Sequence, residues 1–390
     1  VIADATNTGS NAYSISTVDT AVDANPTVGN NVNAYEGAGD ISVTGTAGID
    51  GTQAAGILAA ANTGSTTIAL VKDAAATVVG LTLGANDTIT AVEITGNGNL
   101  TVVQAEAIID YGAAISGTYN LVDTAEALAA ASSDLLNGAT VIDSTGGTAT
   151  VAQATILLAA TNSGATSYQI SDTAEAILGA SAAVLEGDAN SAVVVTDTSV
   201  TAAVATQLND LDVANANITV AGNGVGDYTI SDTYDNVTSA ANETAVDLSG
   251  DVTVTGTLTV AQGVTVNANT AADSNPTMTV EDSYTTVVIN QTGGSNLDMS
   301  TVTLSVSGNL NIAQAKIIVA YNSASETYSV VDTAANVATN VADASVTGAS
   351  SVTLSGAGTV ANVDGIAELT NLVGGYSITD SATAVQTAID

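Results

Sequence analysis

Seven aspartates recur where a carboxylate could do chemistry: Asp73, Asp123, Asp172, Asp232, Asp282, Asp332 and Asp380. Each ends a short alternating apolar run, and most are followed by Thr or Ser and then Ala. Two chemistries suit such a residue. In Asp123–Glu126 and Asp172–Glu175 the acid stands before a helix-forming stretch with Glu three positions on, so it is expected to cap the following helix in a capping-box arrangement. Alternatively, calcium accepts carboxylate and backbone oxygens, which makes Asp123, Asp172, Asp232, Asp282, Asp332 and Asp380 candidate metal ligands and calcium the candidate cofactor. Carboxylates on alternate coils would lie on the order of 10 Å apart, too far to share an ion without further oxygens. Capping is the simpler reading.

Other chemistries lack their atoms. The chain has no His or Cys, and its 2 Lys plus Arg against 39 Asp plus Glu give a net charge of -37. Imidazole or thiolate metal sites, His-based triads, cysteine nucleophiles and disulfides are all excluded. A nucleic-acid surface needs cations, and an anionic bilayer repels this chain equally. No uncharged run approaches the ~18 apolar residues of a membrane span, so no membrane insertion is expected. Acid pairs such as Asp210 with Asp212 and Glu281 with Asp282 admit glycoside hydrolysis in principle. Adjacent strand residues face opposite sides, however, and the two cations, Lys72 and Lys316, are far apart in sequence. A polysaccharide-active β-helix enzyme is the remoter alternative, and the expectation is no enzyme. The lysines read as local charge partners of nearby acids.

The aspartates are placed by a repeat. From Tyr119 the chain reads Tyr-Asn-Leu-Val-Asp-Thr-Ala-Glu-Ala-Leu, and from Tyr168 Tyr-Gln-Ile-Ser-Asp-Thr-Ala-Glu-Ala-Ile, with further copies at Ile68, Tyr228, Met278, Tyr328 and Tyr376 and a looser one at Tyr13. Starts from Ile68 onward are 51, 49, 60, 50, 50 and 48 residues apart, a period near fifty with one ten-residue insertion. Interleaved with it is a helix-like motif, Thr-Val-Ala-Gln-Ala at 150–154, with relatives holding Gln53, Gln104, Gln262 and Gln314. Each Gln precedes the next first-motif start by 14 to 16 residues, a constancy that composition cannot produce. Before it runs a β-branched alternation, as in Val-Thr-Val-Thr-Gly-Thr from Val252.

Strand starts therefore fall at 228, 252, 278, 302, 328, 352 and 376, in steps of 24 or 26. The fold expected is a repeat solenoid, a β- or α/β-solenoid of parallel strands with short helices or corners, about 25 residues per coil and about 50 per double coil. Hydrophobic residues make up 46% of the chain but aromatics only 3%, so an aliphatic spine is expected. The Tyr residues should stack on alternate coils with hydroxyls at the wet edge. Three segments are expected: irregular repeats at 1–67, solenoid repeats at 68–227 with the ten-residue insertion near 200–227, and regular repeats at 228–390 ending inside a repeat.

The tandem Asp-Thr-Ala-Glu-Ala-Leu and Val-Asp-Thr-Ala-Ala-Asn-Val segments, alternating with Thr-Val-Ala-Gln-Ala, resemble the repeat region of giant bacterial extracellular surface proteins. These are type I-secreted adhesins and surface-layer-like proteins related to RTX proteins. The resemblance implies an extracellular place at a bacterial cell surface and strengthens the calcium expectation. The RTX nonapeptide is absent, since Gly293–Asp298 reads Gly-Gly-Ser-Asn-Leu-Asp. The chain starts at Val1 and stops inside a repeat, which reads as a mature chain or part of a longer one, continuing into more repeats or docking end to end. The function expected is a stiff acidic rod in a surface layer, filament or stalk, and the competing one is the spacer of a calcium-dependent adhesin. Partners expected are other copies, end to end or in a lattice, and cell-surface polysaccharide.

Overall fold

The computed structural model describes residues 14–15, 39–44, 47–60, 62, 64–187, 192–214, 219–221, 229–270, 276–293, 297–321 and 325–389. The chain divides into two compact units, Val1–Val194 with Asn217–Thr219, and Val195–Ala216 with Val220–Asp390. The division falls inside the 68–227 stretch that the sequence presents as one run of repeats.

In the second unit, the strands Thr229–Thr233, Asp251–Leu258, Thr277–Ser283, Thr303–Leu310, Glu326–Asp332 and Ser351–Leu354 pair each with the next in chain order, always parallel. Ser199–Val200 adds an edge strand beside Thr229–Thr233. Six of the seven expected strand positions are thus strands. The seventh, near 376, makes only the isolated bridges Val352 to Leu372 and Gly358 to Ile378. Parallel neighbours need a crossover, and each crossover here carries one or more short helices.

Alternation decides which face is buried. Ile230 pairs with Val252, Val280 with both Leu258 and Leu304, and Val330 with both Leu310 and Val352. All are buried, while the intervening Ser and Thr face outward. Each such side chain contributes roughly 1.5–3 kcal/mol. The long strands turn a corner midway, where the register shifts between Thr253 and Thr257 and between Ser305 and Asn309. Gly256 and Gly308 sit there at φ 87° and 85°, a left-handed conformation that costs a side-chain-bearing residue about 1–2 kcal/mol.

The first unit has three sheets, and there the chain passes between sheets, so that paired parallel strands are often not consecutive in the chain. Ser14–Ile15, Asp40–Val43, Thr66–Ile68 and Thr88–Ile89 form one, and Val71–Asp73, Ala91–Ile94 and Ala114–Ser116 another. Asn99–Leu100, Asn120–Val122, Val141–Ala149, Thr166–Asp172 and Ala192–Val195 are successive members of the third. The copy starting at Ile68 is therefore split between two sheets. No helix among the described residues is long and apolar enough to cross a membrane.

Candidate functional site

The repeated carboxylates occupy one structural position, which differs from the expected cap. The helices after Asp123, Asp172 and Asp332 are Ala125–Ala130, Ala174–Gly179 and Ala334–Thr339, and their N-caps are Thr124, Thr173 and Thr333. Each Thr hydroxyl accepts from the backbone N–H three residues on. The Asp lies one residue too early to cap its own helix, and Glu126 and Glu175 stand at the second helical position rather than the third. The capping-box expectation is corrected on both counts.

Each Asp instead fastens an earlier helix: a Gln-motif helix for five of them, and for Asp232 and Asp380 the helices Ala202–Ala214 and Val360–Ile366, which carry Val204 and Asn362 in place of the Gln. The Asp Oδ2 accepts the first helical N–H: Gly51 to Asp73 at 2.8 Å, Val102 to Asp123 at 3.0 Å, Val151 to Asp172 at 2.9 Å and Ala202 to Asp232 at 3.0 Å. The last three are Val260 to Asp282 at 3.2 Å, Ile312 to Asp332 at 3.0 Å and Val360 to Asp380 at 3.1 Å. Oδ1 accepts the N–H of the next residue at 2.7–2.8 Å in all seven. One carboxylate thus joins two chain segments 20 to 30 residues apart. The widest separation, between Ala202 and Asp232, spans the insertion. The staple is preserved there because geometry, not sequence spacing, sets it.

The capping box belongs to the Gln motif. Asp50 with Gln53, Thr101 with Gln104, Thr150 with Gln153 and Thr259 with Gln262 bond reciprocally, side chain to backbone. Asn311 with Gln314 and Thr359 with Asn362 do the same. With the Asp on the first N–H, the donors that a helix start leaves unpaired are largely satisfied. Thr-x-x-Gln before an apolar run was the readable signal for this cap.

Two copies extend the network. Asn236 donates to Asp232 Oδ1 and Asn336 to Asp332 Oδ1, at 2.8 and 2.7 Å. Asp232 and Asp332 are buried. Burial works against charge on Asp332, but the Ile312 N–H, the Asn336 amide and the Thr333 N–H outweigh it and hold the carboxyl below 3.8.

The tyrosines also depart from expectation. Tyr119, Tyr168 and Tyr328 are buried, with hydroxyls donating to backbone carbonyls: Leu135 at 2.8 Å, Val184 at 3.0 Å, and Ser345 at 3.2 Å with Ala344 at 3.3 Å. The wet-edge ladder is corrected, because each phenol reaches a short helix 16 or 17 residues downstream. Burial raises the Tyr119 and Tyr168 hydroxyls. Burial, then the charges of Glu326 and Asp343, pushes Tyr328 up to about 12. Tyr376 is exposed, and Tyr13 and Tyr228 lie outside the described residues. Lys72 pairs with Glu93 at 2.6 Å and Lys316 with Asp343 at 3.3 Å.

Among the described residues, no group of three or more acidic, His or Cys side chains is placed to hold a metal. Both oxygens of every candidate calcium ligand already accept backbone N–H groups. The arrangement joins segments distant in the chain. Comparison with protein-family models, curated proteins and solved structures finds no match for the chain.

Proposed function

We propose that this chain is an extracellular structural repeat protein, a solenoid of about twenty-five residues per coil, that assembles with further copies into a surface layer, filament or stalk on a bacterium. The observation that carries this reading is a single contact, from Asp to the first N–H of an earlier helix, made seven times. A contact repeated between successive segments gives stability by nearest-neighbour addition, as a long repeat array requires. The exterior location is supported by the sequence: strong acidity aids solvation, two cations leave few sites for trypsin-like proteases, and a fold without Cys is indifferent to redox state.

Electron microscopy of the purified chain, with and without a chelator, tests the reading. Lattices or fibres are expected. Isolated particles under every salt and concentration condition would sink assembly and favour the adhesin-spacer reading, and dissolution by chelator would bring calcium back as the joining ion.

A further inference from the structure

A polar cavity of about 430 Å³ opens beside the helix Ile312–Tyr321, lined by Asn311, Lys316, Asp332, Asn336 and Asn340 with the backbone between them. The helix's first N–H is already taken by Asp332, so the side chains are what a ligand would meet. They set this copy of the staple apart. Every sister helix fastened by a repeat Asp has Thr or Asp where Asn311 stands, and Lys316 is replaced there by Ala55, Glu106, Thr155, Thr206, Val264 or Asp364.

The staple does not need these residues. In the Asp232 copy, Thr206 donates to Asn242 Oδ1 at 3.0 Å, and Asn242 donates to the Asn236 carbonyl at 2.9 Å. In the Asp332 copy, Lys316 donates to Asn340 Oδ1 at 2.7 Å and Asn340 to the Asn336 carbonyl at 2.8 Å. The two networks match at the Asn, which Thr206 reaches with a hydroxyl also directed at the Ala202 carbonyl, while Lys316 adds an ion pair with Asp343. What the Asp332 copy adds is unused hydrogen-bonding capacity. Asn311 caps with its oxygen, and its exposed amide N–H groups have no acceptor among the described residues. Asn336, like Asn236 in the Asp232 copy, donates to the staple carboxylate, and its side-chain oxygen has no donor among the described residues. Lys316 bonds Asn340 and Asp343, leaving a third ammonium hydrogen.

The signs of these groups select the ligand. An anion would meet Asp332 and the Asn336 oxygen on a chain of net charge -37, and a cation would meet Lys316 and the Asn311 amide. Vicinal hydroxyls both donate and accept, so a neutral polyol satisfies all three groups at once. The cleft is open and polar, and its volume of about 430 Å³ is enough to admit a small molecule. We propose that this cavity binds a neutral saccharide through its hydroxyls, with Lys316, Asn311 and Asn336 as the recognising side chains. The inference goes beyond the structural reading and is independent of assembly.

Saturation-transfer NMR on the full chain with methyl glycosides of neutral hexoses tests it. Transfer with a dissociation constant in the mM range, about 1 mM, is expected. Lys316→Thr copies Thr206, and Asn311→Thr copies the sister caps, so each keeps the staple while weakening saccharide binding about tenfold. Unchanged circular dichroism of both variants would show that the loss is local. No transfer from any hexoside tested, transfer unaffected by both substitutions, or glucuronate binding as well as the neutral sugars would overturn the proposal.

Discussion

Removing the carboxylate of Asp332 is the sharpest probe of what holds successive segments together. Asp332→Ala leaves three donors without their acceptor: the Ile312 N–H at 3.0 Å, the Thr333 N–H at 2.7 Å and the Asn336 amide at 2.7 Å. Thr333 and Asn336 are exposed and can turn to water, whereas Ile312 is buried. The loss is therefore dominated by one charge-assisted bond and the orphaned buried donor, together about 2–4 kcal/mol. Native-state hydrogen exchange reads this locally. The amides at the start of the helix Ile312–Tyr321 should exchange roughly 30- to 1,000-fold faster in the variant. Asp380→Ala supplies the comparison, because its carboxylate makes the same two backbone bonds in an exposed setting, where water replaces them and the change should stay under about tenfold. Equal effects at the two positions, or no acceleration at Ile312, would refute the staple as a source of stability. Acid gives the same answer by titration. The Asp332 carboxyl lies below 3.8 when folded, so its contribution is complete above that value and is lost as pH falls through the folded value. Protection of the Ile312 amide should disappear over that acid range.

Three further outcomes are expected. A Cβ added at Gly138 would collide with the Tyr119 hydroxyl, so Gly138→Ala should lower thermal stability by about 1–3 kcal/mol, measured by circular dichroism. The Gly256 counterpart has open space around it and should lose only the left-handed term, about 1–2 kcal/mol. Tyr328 ionises at about 12, above the ordinary 10, so its contribution is present below pH 10 and is lost as pH rises towards 12; near-ultraviolet titration should find a tyrosine ionising late, and Tyr328→Phe should remove it. Trypsin should leave the folded chain uncut, because Lys72 lies in the strand Val71–Asp73 and Lys316 in a helix, and after denaturation it should yield 1–72, 73–316 and 317–390 on gels.

Alternation of strand and helix, the strand positions near 252, 278, 302 and 328, and the short helices after Asp123, Asp172 and Asp332 were legible in the residues. They rest on contacts within a few positions of one another, such as alternating Val and Thr or a Thr hydroxyl on an N–H three residues on. The capping box was equally legible, but in Thr-x-x-Gln rather than in Asp-Thr-Ala-Glu. The break of the Ile68 copy into two sheets gave no local sign, because a corner is set by which neighbour each half can pair with.

The amino-acid order alone determined that segments of one kind would recur and that their cores would be aliphatic, since periodicity and side-chain type act locally. Only tertiary structure decided what each Asp and Tyr touches. The partner of an Asp is a backbone N–H 20 to 30 residues earlier, and that of a Tyr a carbonyl 16 or 17 residues later. A backbone group carries no sequence signature, so a side chain that bonds one can be assigned its partner only when folding has brought the two segments together.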